Sequence, residues 1–207
     1  SVTGGGSCMA WLRAMLREAL RERDRIEALI DELGDADAYA AALVAELGLR
    51  ADETREALDA AILAGEAEGA RDLAAAVEAA AGKSTPVSDA LIQAAEATTL
   101  DEKRERYLDA FFTKPGPKPR TPRKTMLAKA VAEANPTLAD RLEREQARLD
   151  RLLERRRLAA LVERSADLFR LAERVLAFYE ERKRRAGLLD FPDLIARARR
   201  LLEGAPS

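Results

Sequence analysis

Histidine is absent from these 207 residues, and cysteine occurs once. Without an imidazole, neither Ser-His-Asp nor Cys-His catalysis is available, and no metal centre can draw on histidine ligands. A single thiol makes neither an internal disulfide nor a zinc cluster, so the chain reads as one not built for an oxidising compartment, and a cytoplasmic location is expected. Aromatic residues amount to only 4% and β-branched residues are sparse, which argues against a β-sandwich or barrel. No apolar run reaches the roughly 18 residues that a membrane span requires. The Gly/Ser-rich, uncharged start does not resemble a signal peptide.

What is plentiful is Ala, Leu, Glu and Arg, the strong helix formers, in a chain that is 47% hydrophobic and 35% charged. The leucine content is too high for disorder, and the length suffices for a buried core. The expectation is therefore an all-α fold. Residues 1–8, SVTGGGSC, lack periodicity and read as an added linker or tag remnant outside the fold. The Gly-Ala-Pro-Ser tail, with that start, suggests a piece of something larger.

From Met9 onward the apolar spacing of three and four predicts a helix to Leu33, stopped by Gly34. Asp35 then opens a helix through Leu47, stopped by Gly48, and Asp52 is placed to cap another ending near Gly65. A helix over 67–81 ends at Gly82. Thr85-Pro86 is a cap followed by a first-turn proline, and Thr99 with Glu102 forms a capping-box pattern before Leu100, Tyr107, Leu108, Phe111 and Phe112. After a short helix over 126–134, Asn135-Pro136 begins an uninterrupted pattern to Ala186, with Gly187 as its stop. Such a helix would be about 75 Å long and needs partners along its stripe, for which the shorter helices are the candidates. The expected architecture is an array of short helices packed on one very long helix, about 136–186. A single subdomain, 9–207, is expected, made of an acidic array (9–112), a proline-rich basic loop (113–125) and a basic long-helix part (126–207).

Charge is divided between the halves. Residues 10–109 hold 12 Lys/Arg and 23 Asp/Glu, a net of −11, and residues 110–207 hold 23 and 14, a net of +9. Either the acidic half pairs internally with the basic half, or the basic half faces a polyanion. The loop TKPGPKPRTPRKT carries Lys114, Lys118, Arg120, Arg123 and Lys124, followed by Lys129, and no carboxylate. Its prolines favour extended backbone and lower the entropy cost of ordering it. That combination suits contact with phosphates without base reading, so these six cations are the candidate DNA-binding residues, and the loop's charges are expected to be solvated.

Other signals have plainer readings. Gly82-Lys83-Ser84-Thr85 ends like a phosphate-binding loop, but position 77, where that motif needs glycine, is valine, and a helix precedes it rather than a strand. It reads as a helix stop followed by a cap. Arg155-Arg156-Arg157 and Arg182-Lys183-Arg184-Arg185 lie inside the long helix and read as solvated faces, phosphate contacts or partners of the helix dipole. Asp190 and Asp193 sit at a helix start, where capping is the expected role. No catalytic or metal-binding residue is expected.

The C-terminal stretch Phe178-Tyr179-Glu180-Glu181-x-Lys183, then Leu188-Leu189-Asp190-Phe191-Pro192-Asp193-Leu194-Ile195, resembles the Y-x-x-x-K … LDFxDLI segment of UvrD-like superfamily 1 DNA helicases. The run from Tyr107 to Arg157 resembles the AddA subunits of bacterial AddAB helicase–nucleases, and the likeness covers the C-terminal half of the chain. It implies an accessory 1B subdomain, inserted in the first motor domain of an ATP-dependent repair helicase. Tyr179, Lys183, Leu189, Asp190, Phe191, Asp193 and Leu194 would then be structural motif residues, with Leu189 and Phe191 inward and Asp190 as a cap. The partners implied are double-stranded DNA, bound weakly and without sequence preference, the rest of the motor, and the second helicase–nuclease subunit. ATP and magnesium belong to the parent motor. No Walker A, DEAQD or nuclease motif is present, so no cofactor and no catalysis are expected of this chain alone. The alternative is a helical module that docks a partner protein along its long helix.

Overall fold

The computed structural model describes residues 21–67, 69–113 and 120–188, with Ala10, Arg13, Ala14, Arg17, Glu18, Leu194, Ile195, Ala198 and Leu201. The described residues form an all-α fold whose one non-helical pairing is an isolated antiparallel bridge. In chain order the helices are α1 (Arg23–Leu33), α2 (Ala36–Glu46), α3 (Arg55–Leu63), a 3₁₀ turn (Gly65–Ala67), α4 (Ala70–Ala81), α5 (Pro86–Glu96), α6 (Leu100–Phe111), α7 (Lys129–Ala134) and α8 (Pro136–Ala186). Two compact units result: Leu43–Val162 form one, and the described parts of Ser1–Ala42 and Glu163–Ser207 form the other. The acidic and basic halves of the sequence are therefore not the two structural units, since each unit draws on both halves.

The 51-residue α8 has the bounds its sequence predicts. Nothing between Pro136 and Gly187 breaks helical geometry. Gly187, at φ +63°, takes the left-handed turn that closes it, with Leu188 N–H bonded to Lys183 O at 3.0 Å. The smaller helices follow their caps. Asp35 Oδ1 accepts from the amides of Asp37 and Ala38 and so starts α2. Thr85 and Ser88 cap reciprocally across the first turn that Pro86 opens, and Thr99 Oγ1 accepts from Glu102 N–H. Gly82 is left-handed and Thr85 is a cap, so the Gly-Lys-Ser-Thr run is the helix stop and start that its context predicts.

Several expected boundaries move. Thr54, not Asp52, caps α3, accepting from Ala57 N–H at 3.1 Å, while Asp52 is occupied by Arg50. The 67–81 segment begins with the 3₁₀ turn and becomes helical at Ala70, and α7 starts at Lys129 rather than Met126. Among the described residues ahead of α1, Glu22 is a turn, so the 9–33 pattern is not one uninterrupted helix.

In the Leu43–Val162 unit one core joins α3 to α8. Ile62, Leu73, Val77, Leu91, Tyr107, Phe111, Phe112, Leu142 and Leu149 are all buried in it. Helix α6 packs on α5, and α5 on α4. Leu100 is 74% exposed because it occupies the first turn of α6, ahead of the buried stripe. In the other unit the rings of Tyr39 and Phe169 stack at 4.7 Å and Arg170 pairs with Asp37 at 2.7 Å. The three-and-four apolar spacing of α8 also takes in Leu161 and Leu168, yet both are more than half exposed. The buried row runs instead through Ala159, Val162, Ala166, Phe169, Ala172 and Leu176.

Candidate nucleic-acid interface

The proline-rich segment is tied at both ends. Phe112 and Pro122 face each other in the antiparallel bridge, with Thr113 N–H bonded to Thr121 O and Arg123 N–H to Phe111 O, both at 2.9 Å. The bonds flank the 112/122 pair, so the missing N–H of Pro122 costs nothing there. Thr121 N–H also donates to Thr113 Oγ1 at 3.0 Å. Lys114 and Lys118 lie outside the described residues.

The expectation of solvated loop cations fails at two of them. Arg120 donates to Asp109 Oδ1 at 2.5 Å, to Glu105 Oε2 at 2.7 Å and to Thr113 O at 3.2 Å, and its side chain is 9% exposed. Arg123 donates twice to Asp109 O, at 3.1 and 2.8 Å. Gln146 Nε2 donates to Phe111 O at 2.7 Å and to Arg123 O at 3.1 Å. The physical reason is the end of α6. Its last carbonyls have no partners within the helix and carry the negative pole of its dipole, so Arg123 and Gln146 complete it, while Arg120 pairs with the carboxylates of Glu105 and Asp109 on its last turns. Both arginines are structural ties here. Lys124 is exposed, and Lys129 is an exposed side chain 3.9 Å from Glu133.

The arginine run of α8 turns inward too. Arg155 pairs with Glu53 and donates to Gly48 O at 3.1 Å, and Arg156 holds Asp59, which Arg104 also reaches at 3.0 Å. Only Arg157 stays at the surface, paired with Glu154 at 3.0 Å. At these pairs the internal-pairing reading of the divided charge is the one realised. The carboxyl of Glu53 is held at about 2, well below its ordinary 4.5, first by the Arg155 hydrogen bond and then by the Arg50 amide. A carboxylate depressed in the folded state stabilises the fold fully above its ordinary value, and that contribution disappears as pH falls from 4.5 towards 2. A carbon-13 titration of the Glu53 carboxyl should find its midpoint in that low range, and Arg155→Ala should return it towards 4.5. A wild-type midpoint near 4.5 would contradict the pairing.

The sequence reading passed over a row of arginines at 141, 144, 148 and 151. Their spacing of three, four and three places them on one face of α8, a signal that was available but was overshadowed by the consecutive run at 155–157. Arg148 bends inward, gripping both oxygens of Glu145 at 2.7 and 2.6 Å and donating to Ala61 O at 2.8 Å, at the C-terminus of α3. Tyr107 OH donates to Glu145 Oε1 at 2.8 Å, so Glu145 is fully engaged. Arg141, Arg144 and Arg151 line one shallow concavity together with Ala147 and the Glu145–Arg148 pair. Arg144 and Arg151 are exposed.

In the second unit, the Nζ of Lys183 lies 5.1 Å from the Tyr179 ring and 3.1 Å from Glu180 Oε1, with the lysine 7% exposed. This brings the tyrosine and lysine of the Y-x-x-x-K spacing together, one helical turn apart. Leu194 is helical and half exposed, while Leu189, Asp190, Phe191 and Asp193 lie outside the described residues. Among the described residues no cluster of carboxylates or thiolates has the arrangement of a metal centre, and no helix is long and apolar enough to cross a membrane.

Fold and site together define a helical protein with an arginine-lined surface on its longest helix. Compared with known proteins, the chain matches no family model, no curated protein and no solved structure.

Proposed function

We propose that this chain is a DNA-contacting accessory subdomain, of the 1B kind, from an ATP-dependent helicase–nuclease subunit, and that it meets duplex DNA through backbone phosphates. One observation carries the contact. Arg141, Arg144 and Arg151 open onto a single concavity whose only carboxylate, Glu145, is already committed to Arg148 and Tyr107. A concavity rich in guanidinium groups and poor in available carboxylate suits phosphate oxygens, for which arginine offers a forked donor pair. The Y-x-x-x-K … LDFxDLI resemblance supplies the helicase context. The partners proposed with it are the motor core, where ATP and magnesium would bind, and the second helicase–nuclease subunit.

Duplex binding by the chain alone should be weak, roughly 10⁻⁴–10⁻⁶ M at physiological salt, and indifferent to sequence. Fluorescence anisotropy of a labelled duplex across a salt series measures this directly. Each phosphate contact removed lowers the salt slope by about 0.9, so Arg144→Ala with Arg151→Ala should reduce it by roughly 2 at unchanged melting temperature. Lys114→Ala, Lys118→Ala and Lys124→Ala together test the loop in the same way. A salt slope unchanged by both variants would overturn the proposal. Phosphate release from ATP, with or without DNA, should stay at the blank.

A further inference from the structure

Helix α8 is apolar on a second face that the described residues leave largely exposed. In the unit to which Glu163–Ala186 belong, the buried row is Ala166, Phe169, Ala172 and Leu176. Leu168, Leu171, Val175 and Phe178 form a separate row with spacings of three, four and three. Leu168 is 55% exposed, Leu171 37% and Phe178 67%, while Val175 is half-buried. This is the spacing of a coiled-coil seam, and solvation alone gives no reason to keep large apolar side chains in such a register.

We propose that this row docks an amphipathic helix of a different protein, one whose apolar stripe is edged with Asp and Glu. The charges around the row select that occupant. The same register continues into Arg164 on one side and into Arg182 and Arg185 on the other, with exposed Arg174 alongside. The nearby carboxylates are engaged within the helix, Asp167 with Arg170 at 2.9 Å and Glu181 with Arg185 at 2.7 Å. Arg164 and Arg182 have no ion-pair partner among the described residues. A second copy is disfavoured by the same residues. Paired antiparallel about its centre, the row sets Arg164 against Arg182 of the other copy, and paired parallel it sets each arginine against itself. Like charges opposed across a seam are repulsive in either direction, whereas an acidic edge satisfies both ends at once. The proposal does not depend on the DNA reading, whose arginines lie in the other unit.

The test uses the full chain and a labelled synthetic heptad peptide with Leu at its seam positions and Glu on both flanks, compared with a twin carrying Lys on the flanks. The Glu-flanked peptide should bind at least about tenfold more tightly than the Lys-flanked one by anisotropy. Leu168→Ser with Phe178→Ser should abolish that binding while leaving the circular dichroism of the chain intact, since both positions are exposed. Arg164→Glu with Arg182→Glu should reverse the preference towards the Lys-flanked peptide. Equal binding of the two peptides, or binding of neither, overturns the proposal. So does a concentration-dependent dimer in sedimentation that Leu168→Ser disperses, which would make a second copy the occupant. A blue-shifted emission from Trp11, the one tryptophan, that moves red in Phe178→Ser would instead assign the row to the chain's own N-terminal segment.

Discussion

Replacing Glu145 with alanine should destabilise the Leu43–Val162 unit by about 3–5 kcal/mol, the range for removing one partner of a buried charged pair. The carboxylate is 5% exposed and serves three functions. It accepts from the buried hydroxyl of Tyr107, grips both donors of Arg148, and through Arg148 supports the carbonyls that end α3. Alanine leaves a phenol and a guanidinium without their acceptor. Because the Arg148 side chain is 32% exposed and water can reach it, the lower end of the range is expected. Urea unfolding measures the shift. The companion Glu145→Leu, Arg148→Met, Tyr107→Phe variant, which removes the whole polar group, should recover most of the loss. A Glu145→Ala midpoint within experimental error of wild type would mean that the network contributes nothing.

Arg120→Ala should cost about 2–3 kcal/mol, the scale of hydrogen bonds to charged groups, although the residue lies in a stretch that reads as a solvated loop. Its loss strands Asp109, which is 9% exposed, and frees Glu105 and Thr113 O. Lys124→Ala, at an exposed side chain next to Arg123, should change stability by no more than a few tenths of a kcal/mol. The contrast between the two, read by thermal denaturation, separates structural cations from those left for a ligand. If both are neutral, Arg120 is not tied to Asp109 and Glu105 as described.

The long helix was legible because its evidence is local: no proline or glycine between Pro136 and Gly187, and a left-handed glycine to end it. Caps at Thr85 and Thr99 were legible for the same reason. Asp52 and Thr54 both suit a cap, and propensity does not choose between them; Thr54 caps, while Asp52 pairs with Arg50. Leu161 and Leu168 share the spacing of the buried positions because a helix with two apolar rows has one composite pattern, and only the packing partner determines which row is covered. The candidate site was the least legible part. Arg120 finds its carboxylates 11 and 15 residues earlier, on α6, so its unpaired look in the sequence said nothing about its surroundings. Arg144 and Arg151 are the converse, scattered among Glu and Leu in sequence and gathered only by the helical repeat.

The continuity of α8 also bears on the order of assembly. Leu43–Val162 is an uninterrupted stretch, so its core closes through local segments. The other unit must bring together Asp37 and Arg170, 133 residues apart. Loop-closure entropy grows only slowly with length, at about 0.6 kcal/mol per doubling, but the search is slow when the intervening chain is loose. Once the intervening residues have condensed, the loop that separates Asp37 from Arg170 is effectively shorter. An order in which the Leu43–Val162 core forms first is thus the one that leaves the flanking unit the smaller closure cost.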